Sequence, residues 1–133
     1  MAGAILKIIE EKLYTPVGLR SLQQDDVHYV NMHGGNTFKR DSSYHQGTVW
    51  SWLLGAYVDS LIKTGTEKPK VRKVIDDLTY HLSEGCIGSV SEIFDGDAPH
   101  YPRGCIAQAW GVAEILRVIK DYNLSKEEST KSD

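Results

Sequence analysis

Four segments of this chain carry helical apolar periodicity, and they come in two kinds that alternate along it. Residues 4–14 place Ile5, Ile8, Ile9 and Leu13 on one face and Lys7, Glu10 and Glu11 on the other, the pattern of a helix with one wet side. Thr15-Pro16 ends it, because a residue before proline avoids the helical region. Residues 46–63 carry two apolar stripes, Val49, Trp52, Leu53, Ala56, Tyr57, Leu61 and Trp50, Leu54, Val58, Ile62, broken only by Asp59 and Lys63. A helix apolar nearly all round has to be covered on most sides. Residues 69–84 return to the first kind, with Val71, Val74, Ile75, Leu78 and Leu82 in one stripe, Pro69 in the first turn and Gly85 at the C-terminal end. Residues 104–121 return to the second, with Cys105, Ile106, Ala109, Trp110, Val112, Ile115 and Leu116 interrupted by Glu114 and Arg117.

The order outer, inner, outer, inner predicts an all-α fold in two layers, the logic of an α/α toroid; a simple four-helix bundle is the competing arrangement. Four helices do not close a two-layer ring, so further sequence or a second copy of the chain has to complete it. Self-association is therefore expected, since apolar faces of that size rarely stay exposed. The 133 residues suit one domain over 1–124, followed by a polar tail over 125–133. A net charge of -3 argues against a nucleic-acid partner. No run approaches the ~18 apolar residues of a membrane span, and the charges within Met1–Leu13 argue against a secretory leader. A cytoplasmic protein is expected. Cys86 and Cys105 form no C-x-x-C pair and read as reduced, largely buried thiols.

The connections at 15–45 and 85–103 are long, rich in Gly, His, Tyr, Asp and Arg, and each precedes an inner-type helix. Structureless loops beyond about 12–15 residues are usually functional or disordered, and in an antiparallel alternating array these two emerge at the same end. The second holds Glu92, Asp95, Asp97, His100 and Arg103. Carboxylates are the acid and base of glycoside hydrolysis, and Glu92 sits among Val90, Ile93 and Phe94, neighbours of a kind that desolvate it. Asp95 and Asp97 equally suit a turn around Gly96. The first loop ends in Tyr44, His45, Gln46 and Trp50, side chains that suit a sugar: aromatic faces stack on C–H surfaces, while amide and imidazole groups bond hydroxyls. Trp50 and Trp52 as core residues and His45 as a structural histidine are the plainer alternatives. No H-E-x-x-H spacing accompanies Asp97 and His100, His33-Gly34-Gly35-Asn36 lacks the lysine of a phosphate-binding loop, and no Gly-x-Ser-x-Gly elbow is present.

Taken together, Thr15-Pro-Val-Gly-Leu-Arg-Ser-Leu22, Tyr44-His-Gln-Gly-Thr-Val-Trp50, Ser91-Glu-Ile-Phe-Asp-Gly-Asp97 and Pro102-Arg-Gly-Cys-Ile-Ala-Gln-Ala-Trp110 resemble the C-terminal glucosidase domain of glycogen debranching enzymes, the amylo-α-1,6-glucosidases. The resemblance runs from about residue 4 to residue 120, with its motifs in order. It implies part of an (α/α)6 barrel that hydrolyses an α-1,6-linked glucosyl branch with inversion, without cofactor or metal. By that resemblance Glu92 is the general base, and Tyr44, His45, Gln46, Trp50, Asp95, Arg103 and Gln108 bind the substrate, a branched oligosaccharide or α-glucan. The family's acid is an aspartate upstream of the matched part, and Asp25, Asp26 and Asp41 do not stand at its position. The chain alone is then expected to be inactive until paired with the missing barrel half; a non-catalytic carbohydrate-binding or assembly module derived from that fold is the alternative. The sequence departs from the pattern at Ser51, where proline is expected, and near Ser42 and Ser43, where a small apolar residue is expected.

Overall fold

The computed structural model describes residues 2–125. It corrects the all-α, two-layer expectation: the chain is mixed α/β, with a five-stranded antiparallel sheet running through the two segments read as loops and the start of the helix read over 46–63. Helix α1 spans Ala2–Lys12, and strands β1 (Tyr14–Thr15) and β2 (Gly18–Arg20) form a hairpin around Pro16-Val17. A short helix, α2 (Thr37–Ser43), follows, its first turn capped by Asn36, whose side chain accepts the Lys39 amide at 3.0 Å. Then come β3 (Val49–Trp50), α3 (Leu53–Lys63), α4 (Lys68–Thr79) closed by a 3₁₀ turn at Tyr80–Ser83, β4 (Ile93–Phe94), β5 (Pro102–Arg103) and α5 (Ala109–Asp121). The strands lie in chain order, so each long excursion returns to pair beside the previous strand.

The expected helix at 46–63 begins at Leu53 instead. Gly47 has φ +131°, outside the helical region, with the Tyr29 ring and the Val30 carbonyl packed where a Cβ would stand. Val49 and Trp50 then take the central strand, pairing with Leu19 and Arg20 on one side and with Ile93 and Phe94 on the other. Similarly, residues 104–108 are not helical and α5 starts at Ala109. Pro102 sits in the edge strand, where a missing N–H is tolerated.

The burial pattern also departs from concentric layers. Leu54, Tyr57, Val58 and Leu61 of α3 join Val71, Val74, Ile75 and Leu78 of α4 in a core that takes in Leu19, Val49 and Phe94 from the sheet. In α5 only Gly111 and Val118 are buried, while Trp110 and Leu116 are exposed, so its apolar sequence does not mark an enclosed helix. On α1, Leu6 is buried and Ile9 packs on the core, whereas Ile5 and Ile8 face outward. An ion-pair network at the α3–α5 contact, Arg117 with Asp59 at 2.9 Å and Glu114 at 2.8 Å, uses the two charges that interrupt α5. From residue 126 the expected polar tail lies outside the described residues. No helix among the described residues is long and apolar enough to cross a membrane.

Candidate active site

The two long loops meet because their strands pair. With Val49 opposite Phe94 and Trp50 opposite Ile93 in an antiparallel pair, the segment before β3 is laid beside the segment after β4, and Ser51 beside the segment that carries Glu92. The Tyr44 side chain reaches across to Glu92, and its hydroxyl donates to Oε1. The other carboxylate oxygen, Oε2, accepts the Cys105 amide at 2.9 Å, and the Glu92 amide donates to the Cys105 carbonyl at 2.9 Å. Gly104, at φ +65°, lets the chain pass that close: a Cβ there would stand 2.5 Å from Oε2. A carboxylate has about four acceptor sites, so these two bonds fix the half-buried group and leave it able to accept a further proton or hydroxyl.

Behind Glu92 the backbone is anchored by fully buried groups. The Ser91 amide donates to Nε2 of His81 at 3.2 Å, so the ring proton sits on Nδ1, 3.0 Å from the Glu84 carboxylate. The His81 ring is wedged edge-on against Phe94, with centroids 4.5 Å apart. Ser51 donates its hydroxyl to the Ser91 carbonyl at 2.9 Å. The residue that departs from the expected proline thus ties the central strand to the segment carrying Glu92.

The Tyr44–Trp50 segment is held by Thr48, buried, whose hydroxyl donates to the Tyr44 carbonyl at 2.6 Å and accepts Nε1 of Trp50 at 3.2 Å. His45 stacks flush on Trp50, with centroids 5.1 Å apart and planes 2° from parallel, and Tyr44 meets the same indole edge-on at 4.8 Å. Tyr44, His45 and Trp50 line, with Trp52, Leu53 and Trp110, a cleft of about 390 Å³. All three tryptophans of the chain are on it. Burial, together with the bond to Glu92, pushes the Tyr44 hydroxyl up to about 12, so it stays a donor across the physiological range.

The other acidic residues of the second loop are engaged elsewhere. Asp95, almost fully buried, receives Nε and Nη2 of Arg103 at 3.0 and 2.7 Å and the His33 amide at 2.9 Å. Asp97 accepts from Gln24 at 2.7 Å and Tyr29 at 2.8 Å. Burial works to raise the Asp97 carboxyl, but the hydrogen bonds from Tyr29, Gln24 and Asn31 outweigh it and hold the group below its ordinary range. Asp95 and Asp97 therefore clasp the two loops together across more than sixty residues of chain. His33 is itself buried, which keeps its imidazole below its usual pKa, and its Nδ1 meets the Ser43 hydroxyl at 3.0 Å.

Among the residues singled out from sequence, Tyr44, His45, Trp50 and Glu92 lie together, and Asp95 and Arg103 pair with each other just beyond β4. Gln46 is exposed, its amide bonded to the Ser43 carbonyl. Gln108 stands at the N-terminus of α5, its amide donating to the Val90 carbonyl at 2.8 Å, two residues from Glu92. His100, at φ +61°, turns Nδ1 to the Asp95 carbonyl at 3.0 Å. Both cysteines are free thiols, yet Cys105 is exposed and Cys86 half-buried, correcting the expectation that both are enclosed. No group of three or more His, Cys, Asp or Glu residues among the described residues is placed to hold a metal. Reading the sequence missed Tyr29, His33, Thr48, His81 and Trp110; Tyr29, His33 and Trp110 act through partners distant in the chain, which residue type and spacing do not reveal, while Thr48 and His81 act through short-range bonds that depend on the local fold.

The family model described as amylo-alpha-1,6-glucosidase matches residues 1–117, nearly nine-tenths of the chain. Its extent takes in both loops and the strands that join them. The chain belongs to the amylo-alpha-1,6-glucosidase family, as a C-terminal glucosidase domain of glycogen debranching enzymes.

Proposed function

We propose that this chain supplies the general base and part of the sugar-binding wall of an inverting α-1,6-glucosidase acting on branched α-glucan. The observation that carries the proposal is the Glu92 carboxylate, fixed at both oxygens by Tyr44 and the Cys105 amide beside an aromatic cleft. In an inverting reaction the base takes a proton from water as that water attacks the anomeric carbon, while an acid ~6.5–9.5 Å away protonates the leaving oxygen. Glu92 is oriented for the first role. Neither neighbouring aspartate suits the second: Asp95 is bonded at both oxygens by Arg103, and Asp97 is held in its ionised form by Tyr29, Gln24 and Asn31. By the family resemblance the acid is an aspartate of a segment upstream of the matched part. Tyr44, His45, Gln46, Trp50, Asp95, Arg103 and Gln108 form or support the wall that holds the glucosyl unit. A cytoplasmic setting, where α-glucan is stored and free thiols persist, fits this role.

Glucose release from a branched limit dextrin tests the proposal. The chain alone releases no glucose above background. Complementation with an acid-bearing segment yields β-glucose from the α-linkage, observed by proton NMR, and this activity disappears in Glu92→Gln. Sustained turnover by the isolated chain would show that the acid lies within it. Activity unchanged by Glu92→Gln would remove Glu92 as the base.

A further inference from the structure

The peptide unit that joins Ser91 to Glu92 is held at both of its polar ends. Its N–H donates to the Cys105 carbonyl at 2.9 Å, and its C=O accepts the Ser51 hydroxyl at 2.9 Å. In a trans peptide these two groups point in opposite directions, so the bonds clamp the unit from two sides. The partners come from different parts of the fold: Cys105 follows β5, whereas Ser51 lies between β3 and α3. We propose that Ser51 is a positioning residue for Glu92, setting the plane of the peptide from which the carboxylate side chain departs, and that Gly111 of α5 leaves the room in which its hydroxyl sits. The inference rests on the reading of Glu92 as the base.

Three observations support it. First, Ser51 is fully enclosed, and its Oγ also lies 3.4 Å from the Glu92 carbonyl. Ser91 is fully enclosed too, so without the hydroxyl its carbonyl is a buried acceptor deprived of this donor. Second, Gly111 has ordinary helical backbone, and glycine weakens a helix relative to alanine. What its missing side chain provides is space: a Cβ there would stand 2.8 Å from Ser51 Oγ and 3.2 Å from the Val90 side chain. Third, the start of α5 is fastened to the same segment. The Gln108 amide donates to the Val90 carbonyl at 2.8 Å, and the Ser91 hydroxyl donates to the Ile106 carbonyl at 3.3 Å. Ser51 therefore sits in a joint between the central strand, the start of α5 and residues 90–92. The bond is this chain's own, since the proline expected at position 51 has no hydroxyl to donate. Tyr44 and the Cys105 amide hold the Glu92 carboxylate, and Ser51 holds the backbone from which it extends.

The test is site-resolved hydrogen exchange by NMR on the full chain, for wild type, Ser51→Ala, Gly111→Ala and the double variant, with the α4 amides as the reference for global opening. In Ser51→Ala the Glu92 amide exchanges roughly tenfold faster or more, the effect of one lost buried hydrogen bond, while the α4 amides change far less. Gly111→Ala produces the same local change, because its methyl crowds the hydroxyl off the carbonyl. It carries the test if Ser51→Ala fails to fold. The double variant exchanges no faster at Glu92 than Ser51→Ala, since the methyl enters space that the hydroxyl has left and the two effects do not add. In the complemented enzyme Ser51→Ala lowers kcat with KM nearly constant. Unchanged exchange at Glu92 in the folded variants overturns the clamp. Exchange accelerated equally in α4 makes Ser51 a residue of general stability and overturns the positioning role. So does fast exchange at Glu92 with kcat unaltered, a result that leaves the role of Glu92 itself to the Glu92→Gln comparison. Effects that add in the double variant remove Gly111 from the proposal.

Discussion

The Tyr44 hydroxyl donates to Glu92 across 48 residues of sequence, joining the two long loops at the carboxylate. Tyr44→Phe removes that bond while keeping the ring that packs against Trp50 and His45. The expected cost in stability is small, about 1 kcal/mol in urea unfolding, because a part-buried hydroxyl contributes little net. The expected cost in turnover of the complemented enzyme is larger, roughly tenfold or more in kcat with KM little changed, since a free carboxylate is less often aligned with water. Equal kcat in wild type and Tyr44→Phe would show that the Cys105 amide alone orients Glu92.

The acid limb of stability follows from two aspartates. Asp59 is held below its ordinary 3.8 by hydrogen bonding to Arg117, against the opposing effect of burial, with help from Tyr122. Asp97 is lowered as described above. A carboxyl depressed in the folded state stabilises it fully above the unfolded value, and that contribution fades as pH falls through the folded value. Stability should therefore drop as the pH is lowered past about 4, the range in which the unfolded aspartates take up protons first. Asp97→Asn and Asp59→Asn should each be less stable than wild type at pH 7 and show a shallower acid decline. A urea midpoint for Asp97→Asn that runs parallel to wild type from pH 7 to pH 2 would rule out its contribution.

The sequence made some of this legible, and the reasons are local. The α4 stripe of Val71, Val74, Ile75 and Leu78 is a full helical repeat with charges opposite, and it is buried as that pattern requires. Val49 and Trp50 keep helical spacing with Leu53 and Leu54, so periodicity merges a two-residue strand with the helix after it. Strands of two or three residues are shorter than any window in which alternation can be counted. What marks them is pairing with β2 and β4, a tertiary fact. The apolar composition of α5 says that it meets other surfaces, not that they lie within the described residues. At the site, family resemblance pointed to Glu92 and Tyr44 separately, but only the fold discloses the hydrogen bond between them. The clasp of Tyr29 on Asp97 had no local signature at all.

Arg103 and Asp95 supply a test of the loop's rigidity. Removing the guanidinium leaves a carboxylate only 5% exposed with the His33 amide as its remaining partner. Arg103→Ala should therefore cost about 3 kcal/mol, the lower end of the range for unpaired buried charges because Arg103 itself reaches solvent. Arg103→Lys should recover little, since one ammonium does not reproduce the two-point contact. Urea denaturation of the three proteins reads this directly. A loss below about 0.5 kcal/mol in Arg103→Ala, the size of an ordinary surface change, would place the pair among the weak exposed ones.

His81 offers the sharpest separation of packing from positioning. Its ring is enclosed and packs on Phe94, while its Nε2 is the acceptor for the Ser91 amide, one residue before Glu92. Phenylalanine at this position keeps an aromatic ring but leaves the Ser91 N–H buried without a partner, at a cost of about 1–3 kcal/mol. Glutamine presents a carbonyl oxygen that can accept the same N–H. If His81 only fills space, His81→Phe should match wild type and His81→Gln should be the worse variant. If it positions Ser91, the order reverses: His81→Gln retains slow hydrogen exchange at the Ser91 amide, and His81→Phe loses it. The complemented enzyme should follow the same order in kcat while KM stays nearly constant, because the displaced group is the backbone that carries the base and not the surface that binds sugar. Rapid exchange at Ser91 in His81→Phe with kcat unchanged would show that Ser51 and Cys105 hold Glu92 without help from the histidine.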